Sequence, residues 1–149
     1  SGVGISLIIA LVFLFFKESI ENESSLVAKI TEAGLSKKST YLACVIYWIL
    51  INSLLEEYVW RWFVVKQCRT LFSPKISVLL SAGLFTLHHV VALHQFFSLP
   101  LVLLCSFGVF VGGAIWSHLF IKYQSIWPPY LSHAIVDLAI FVLGAILIF

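Results

Sequence analysis

Six ionisable side chains stand inside stretches otherwise apolar enough to cross a bilayer: Glu56, Glu57 and Arg61 in one, His89 in the next, His133 and Asp137 in the last. Charge near the middle of a bilayer is expensive, so each is a functional-site hypothesis by default. Carboxylates beside imidazoles are equipment for moving protons. They can strip a proton from water, relay protons or ligate a metal. Spacing separates the roles, because helical positions four apart share a face. Glu57 and Arg61 are four apart with the acid N-terminal, the better order for a helical ion pair, and in lipid such pairing is close to obligatory. Glu56 is then turned away from Arg61, with Asn52 and Trp60 on its own face, and is left without a local partner, free to titrate. His133 and Asp137 repeat the four-residue spacing, a carboxylate placed to orient or charge an imidazole.

The elements that must position these groups are membrane helices. The 149 residues are 61% hydrophobic and 11% charged, with mean hydropathy +1.06, against roughly 45–50% apolar and 25% charged in a soluble domain. The net charge of +2 is too small for nucleic acid as a partner, and the basic residues gather at helix ends, where lipid headgroups lie. Cys44, Cys68 and Cys105 form neither a disulfide framework nor a zinc-finger spacing. Apolar runs of about 20 residues, the length a bilayer core demands, number five, so an all-α polytopic transmembrane bundle is expected. Gly2 to Phe16 is the first; it is short, starts at the first residue as in a fragment of a longer protein, and lacks the features of a signal peptide. Lys17 to Thr40 is polar, expected as a loop with one short interfacial helix on Leu26, Val27, Ile30 and Leu35. Tyr41 to Val65 is the second span, followed by a basic turn from Lys66 to Lys75. Ile76 to Phe97 is the third. The fourth, from Pro100 to Ile121, carries Gly108 and Gly112 at the small-xxx-small spacing of close helix packing. Pro129 to Phe149 is the fifth, after an aromatic cluster of Tyr123, Trp127 and Tyr130. Residues 1–40 thus read as a first membrane segment with its loop, and 41–149 as the functional core. Lys17, Lys29, Lys37 and Lys38 on one side balance Lys66, Arg69, Lys75 and Lys122 on the other, so the positive-inside rule leaves orientation open.

At about 1.5 Å per residue from the end shared by the basic turn and the Lys122 loop, Glu56 lies roughly 14 Å deep, Asp137 about 12 Å, His133 about 6 Å and His89 about 20 Å. These four are expected to share one cavity. His94 and His118 fall outside that layer, and His88 faces elsewhere as a packing or lipid-interface residue. Taken singly, each piece has a plain structural reading: a stabilising ion pair, or an interhelical clamp. Their coincidence at similar depth on three helices is what those readings explain poorly.

The motifs resemble those of the CPBP family of intramembrane proteases, which includes type II CAAX prenyl endopeptidases and bacteriocin-processing or immunity proteins. Glu56-Glu57-Tyr58-Val59-Trp60-Arg61 resembles its EExxxR motif, Phe85-Thr86-Leu87-His88-His89 its FxxxH motif, and His133-Ala134-Ile135-Val136-Asp137 its HxxxB motif, where B is Asn or Asp. Gly112-Gly113 and the Ser125-Ile126-Trp127-Pro128 run are also similar to the family. The resemblance runs from Tyr41 to Phe149. It implies an endopeptidase cutting a membrane-associated peptide or lipidated protein, in a multi-pass protein of a prokaryotic cell membrane in contact with lipid. Glu56 would be the general base, with His89 holding its water. Glu57 and Arg61 would fix the helix and balance charge, and His133 with Asp137 would stabilise the oxyanion. Asp137 departs from the commoner Asn: an ionised aspartate repels an oxyanion that an amide would bind, so Asp137 is expected to be protonated or to act through His133. The metal question stays open. Glu56, His89 and His133 would make a two-His, one-carboxylate zinc set, yet there is no HExxH, and a glutamate-activated water needs no metal. Metal-free chemistry is the favoured expectation. A catalytically silent scaffold or immunity protein of the same fold is the rival reading, and a proton-coupled transporter a further one, although no internal repeat or broken helix supports it.

Overall fold

The computed structural model describes residues 1–22 and 24–149; Glu23 and the side chains of Ser24, Ser25 and Val27, all in the polar stretch, lie outside the described residues. Helices follow one another in the order α1 (Gly2–Glu21), α2 (Ser24–Glu32), α3 (Lys38–Leu71), α4 (Pro74–Leu93), α5 (Leu99–Tyr123) and α6 (Trp127–Ile148). No strand occurs among the described residues. All but α2 are long and apolar enough to span a membrane. The chain is therefore an all-α polytopic bundle.

Proline and backbone geometry set the boundaries. Pro74, Pro100, Pro128 and Pro129 all sit in the first turn of a helix, where a missing N–H costs nothing. Ser73 and Ser98, the residues before α4 and α5, are extended. At the other end of α5, Gln124 adopts a left-handed conformation (φ 51°), its backbone N–H bonds the Phe120 carbonyl, and its side-chain amide donates to the Ile121 carbonyl at 2.7 Å. Carbonyls orphaned at the helix end are thereby satisfied.

Several expected bounds move. Helix α1 continues past Phe16 to Glu21, through an exposed Lys17–Glu21 ion pair of 3.5 Å, so its last turn replaces part of the expected loop. Helix α3 is 34 residues long, not the 25 of Tyr41 to Val65. It absorbs most of the anticipated basic turn and ends only where Phe72 becomes extended. Polar residues at a helix end need not stop it once they reach the headgroup layer. Helix α3 is also not uniformly wound: Trp48–Asn52 and Tyr58–Val65 are π-helical and flank the α-helical Ser53–Glu57. Such widened turns recur at functional sites.

Helix α4 packs most extensively on α5, and α1 on α6; α3 touches α4, α5 and α6. Beside buried Val65, Phe85, Trp116 and Phe120, many buried positions are polar or small, among them Ser53, Glu57, Arg61, Ser77, Ser81, Ala82, Gly112, Gly113, Ser117, Ser132 and His133, whereas Leu7, Phe15, Leu87, Val91, Phe107 and Leu131 face outward. Lipid tails are as apolar as leucine, so nothing drives large apolar side chains inward, and small residues that let backbones approach line the helix contacts. Exposed Tyr58 stacks on Trp62 (centroids 4.8 Å apart), with Lys66 Nζ 4.7 Å above Trp62, an aromatic and basic outer edge suited to a membrane interface.

The close-packing glycine of α5 is not the expected one. A Cβ on Gly108 would meet nothing within 4 Å, and one on Gly112 only the Trp116 ring of its own helix at 3.4 Å. A Cβ on Gly113 would lie 3.0 Å from Phe85 Cδ1 and 3.4 Å from Ala82 Cα. Gly113 is where α5 meets α4, and the spacing rule had selected the neighbouring faces. Gly113→Leu is expected to destabilise the protein by about 1–3 kcal/mol through overpacking, while Gly108→Leu stays within about 0.5 kcal/mol of wild type. Thermal unfolding in detergent measures both, and equal midpoints for the two variants would remove Gly113 from the contact.

Candidate active site

Helix α3 brings its two glutamates to the bundle interior on adjacent positions with different fates. Glu57 and Arg61 have no exposed surface, and Arg61 Nε lies 3.2 Å from Glu57 Oε2. The expected pair therefore forms, even though Tyr58 begins a π-wound turn, because the long arginine side chain spans the altered register. The guanidinium carbon sits 4.6 Å from the Phe85 ring centroid and 5.5 Å from that of Trp116. Cation–π attraction to two aromatic faces thus supplements one ion pair, and the terminal guanidinium nitrogens make no hydrogen bond among the described residues.

Glu56 keeps 16% of its side chain exposed. It was expected to lack a local partner, and here the structure differs: Asn52 Nδ2 donates to Glu56 Oε1 at 3.0 Å. An amide one turn back fixes one carboxylate oxygen while adding no charge. The other, Oε2, points toward His133 Nε2 at 3.7 Å.

His133, from α6, is the hub. Its Nδ1 lies 2.9 Å from Glu57 Oε1, and its Nε2 faces both Glu56 Oε2 (3.7 Å) and Asp137 Oδ1 (3.6 Å). With carboxylate oxygens facing both ring nitrogens, the imidazole is set to donate from either. Asp137, 15% exposed, has its other oxygen 2.6 Å from Ser53 Oγ, whose single proton has a second acceptor in the Trp48 carbonyl at 2.8 Å. Ser53 ties α3 to α6 within the site.

His89, from α4, sits at hydrogen-bond distance from the Phe85 carbonyl through Nδ1 (3.0 Å). A carbonyl only accepts, so Nδ1 carries the proton there, and in the neutral form of the ring the lone pair is at Nε2. The Phe85 ring touches both imidazoles, with centroids 4.3 Å from His89 and 6.0 Å from His133. Glu56 and Asp137 thus face His133, and Phe85 joins the two histidines beside the buried Arg61. His88, His94 and His118 are exposed; the His88 ring meets that of His89 edge to face at 5.3 Å and tilts against Trp60 at 6.0 Å. No group of three or more His, Cys, Asp or Glu side chains among the described residues is arranged to hold a metal ion. The set Glu56, His89 and His133 does not form one.

Three contributors went unseen in the sequence. Ser53 could have been found, since it lies four residues before Glu57 on the same face. Ser132 adjoins His133. Trp116 stands mid-span, away from the interfaces where tryptophan usually gathers, and that misplacement was a usable signal. It lies flat on His133, with centroids 4.0 Å and planes 19° apart.

Among comparisons with known proteins, the family described as type II CAAX prenyl endopeptidase Rce1-like matches residues 38–139. That match covers all six site residues. No curated protein and no solved structure matches the chain.

Proposed function

Because the chain belongs to the type II CAAX prenyl endopeptidase Rce1-like family and is an integral multi-pass membrane protein, we propose that it hydrolyses a peptide bond of a membrane-associated substrate with a water activated by Glu56. A CAAX-type prenylated peptide is the substrate class the family points to. The observation that carries the reading is the division between the two glutamates: Glu57 is sealed and paired with Arg61, whereas Glu56 stays 16% exposed with one oxygen facing His133.

In this scheme the water sits between Glu56 Oε2 and the His89 Nε2 lone pair. Glu56 takes its proton as the water oxygen bonds to the substrate carbonyl carbon, and the carbonyl electrons move onto oxygen. His133 Nε2–H donates to that oxyanion, the point at which such donors act most strongly. Collapse of the intermediate breaks the C–N bond, and the proton held by Glu56 passes to the departing amine. Glu57 anchors the other edge of the His133 ring, and Arg61 balances Glu57. Asp137 keeps Nε2 directed at the substrate. Cleavage of a defined membrane peptide in detergent, with and without chelator, tests the reading: time-dependent cut product supports it, and none under any condition sinks it.

Asp137 acts through orientation in this scheme, so Asp137→Asn is expected to keep kcat/KM within roughly tenfold of wild type, since the amide can still meet Ser53 and His133. If Asp137 instead ligates a metal or orients a metal-bound histidine, the change costs about 10–100-fold. Kinetics alongside elemental analysis decide this, and a collapse in activity with loss of bound zinc would overturn the metal-free scheme.

A further inference from the structure

We infer that Trp116, on the one core helix that carries none of the three motifs, is a positioning residue for His133. The indole and imidazole are close to parallel at 4.0 Å, so the imidazole cannot turn about its own axis without lifting off the indole face and breaking the 2.9 Å bond from Nδ1 to Glu57. The indole itself is fixed. Its Nε1–H donates to Ser132 Oγ at 3.0 Å, the residue next to His133 on α6, so the ring is tied to the backbone that carries its partner. The edge contact with Phe85 (6.1 Å, 78°) braces it from α4. Trp116 is 4% exposed, so it acts on the reaction through the groups it packs against, His133 at 4.0 Å first and the Arg61 guanidinium at 5.5 Å second. The indole wall thereby holds the imidazole in the plane in which Nδ1 meets Glu57 and Nε2 faces Glu56 and Asp137, and it hinders the flip that would exchange the two nitrogens. A free ring could flip these nitrogens and present the wrong edge to an oxyanion.

The catalytic half of this inference rests on the proposed peptidase reaction, and the conformational half does not. Three variants, Trp116→Phe, Trp116→Leu and Ser132→Ala, are compared by nitrogen NMR of selectively labelled His133 and by kcat and KM on a membrane peptide. Trp116→Phe keeps an aromatic face and is expected to retain the wild-type His133 nitrogen signals and kcat within about threefold. Trp116→Leu keeps bulk without a face, and is expected to show exchange-averaged nitrogen signals and a kcat lower by about 10- to 100-fold, the scale of a slightly misplaced reacting group, with KM within about threefold. Ser132→Ala, which unties the indole without removing it, is expected to fall between them and carries the test if Trp116→Leu does not fold. Wild-type nitrogen signals in folded Trp116→Leu, or in Ser132→Ala should Leu not fold, would overturn the inference, as would Phe and Leu variants losing kcat equally. If wild type cleaves nothing while the NMR pattern follows the expected order, the positioning stands and the peptidase reading is what fails.

Discussion

Glu56→Gln is expected to leave the protein folded and to remove proteolysis almost entirely, by roughly a hundred- to ten-thousand-fold, the contribution typical of a positioned general base. The substitution is close to isosteric, and its amide can still bond Asn52, whose side chain now holds Glu56 Oε1 at 3.0 Å. What is lost is the proton-accepting power of the oxygen facing His133. Thermal midpoints near wild type together with loss of cleavage fit the assignment. Turnover within tenfold of wild type would exclude Glu56 as the base and move weight to a silent scaffold of the same fold.

Glu57→Ala is expected to show the opposite pattern, a large loss of stability with any loss of activity following from it. Both members of the Glu57–Arg61 pair are fully buried, and removing one partner of such a pair costs roughly 3–5 kcal/mol, because the remaining charge stays desolvated. Here the damage extends further, since His133 Nδ1 loses its acceptor as well. Adding Arg61→Met to Glu57→Ala should recover part of the stability, because the stranded charge is then gone, without recovering activity. Thermal unfolding of the two variants in detergent checks this. A single variant as stable as wild type would mean that the buried pair contributes no energy.

The number and identity of the spans were readable because about 20 apolar residues between polar ends admit few other structures. The Glu57–Arg61 relation was readable because a four-residue spacing and the cost of lone charge in lipid point the same way. Boundaries were less so: Lys66 to Leu71 looks like a turn by composition, yet α3 continues through it, since a helix leaving the hydrocarbon layer can carry charge. Spacing rules name a stripe and not the neighbour it faces, which is why Gly108 and Gly112 stood in for Gly113. The π-wound turns on either side of the glutamates have no residue signature, and an argument at 100° per residue cannot see them. Trp116 was missed for a related reason. In a chain rich in aromatic and aliphatic residues, one more large ring in a span looks like lipid-facing bulk until the fold sets it against His133.

The most direct measurement is mass spectrometry of peptide products formed in water enriched in the heavy oxygen isotope, with wild type and Glu56→Gln side by side. Wild type is expected to release a new C-terminal carboxyl carrying one heavy oxygen from solvent, and Glu56→Gln to release none above background. Equal labelled product from both proteins, or no cut product from wild type, would contradict a Glu56-activated water as the nucleophile.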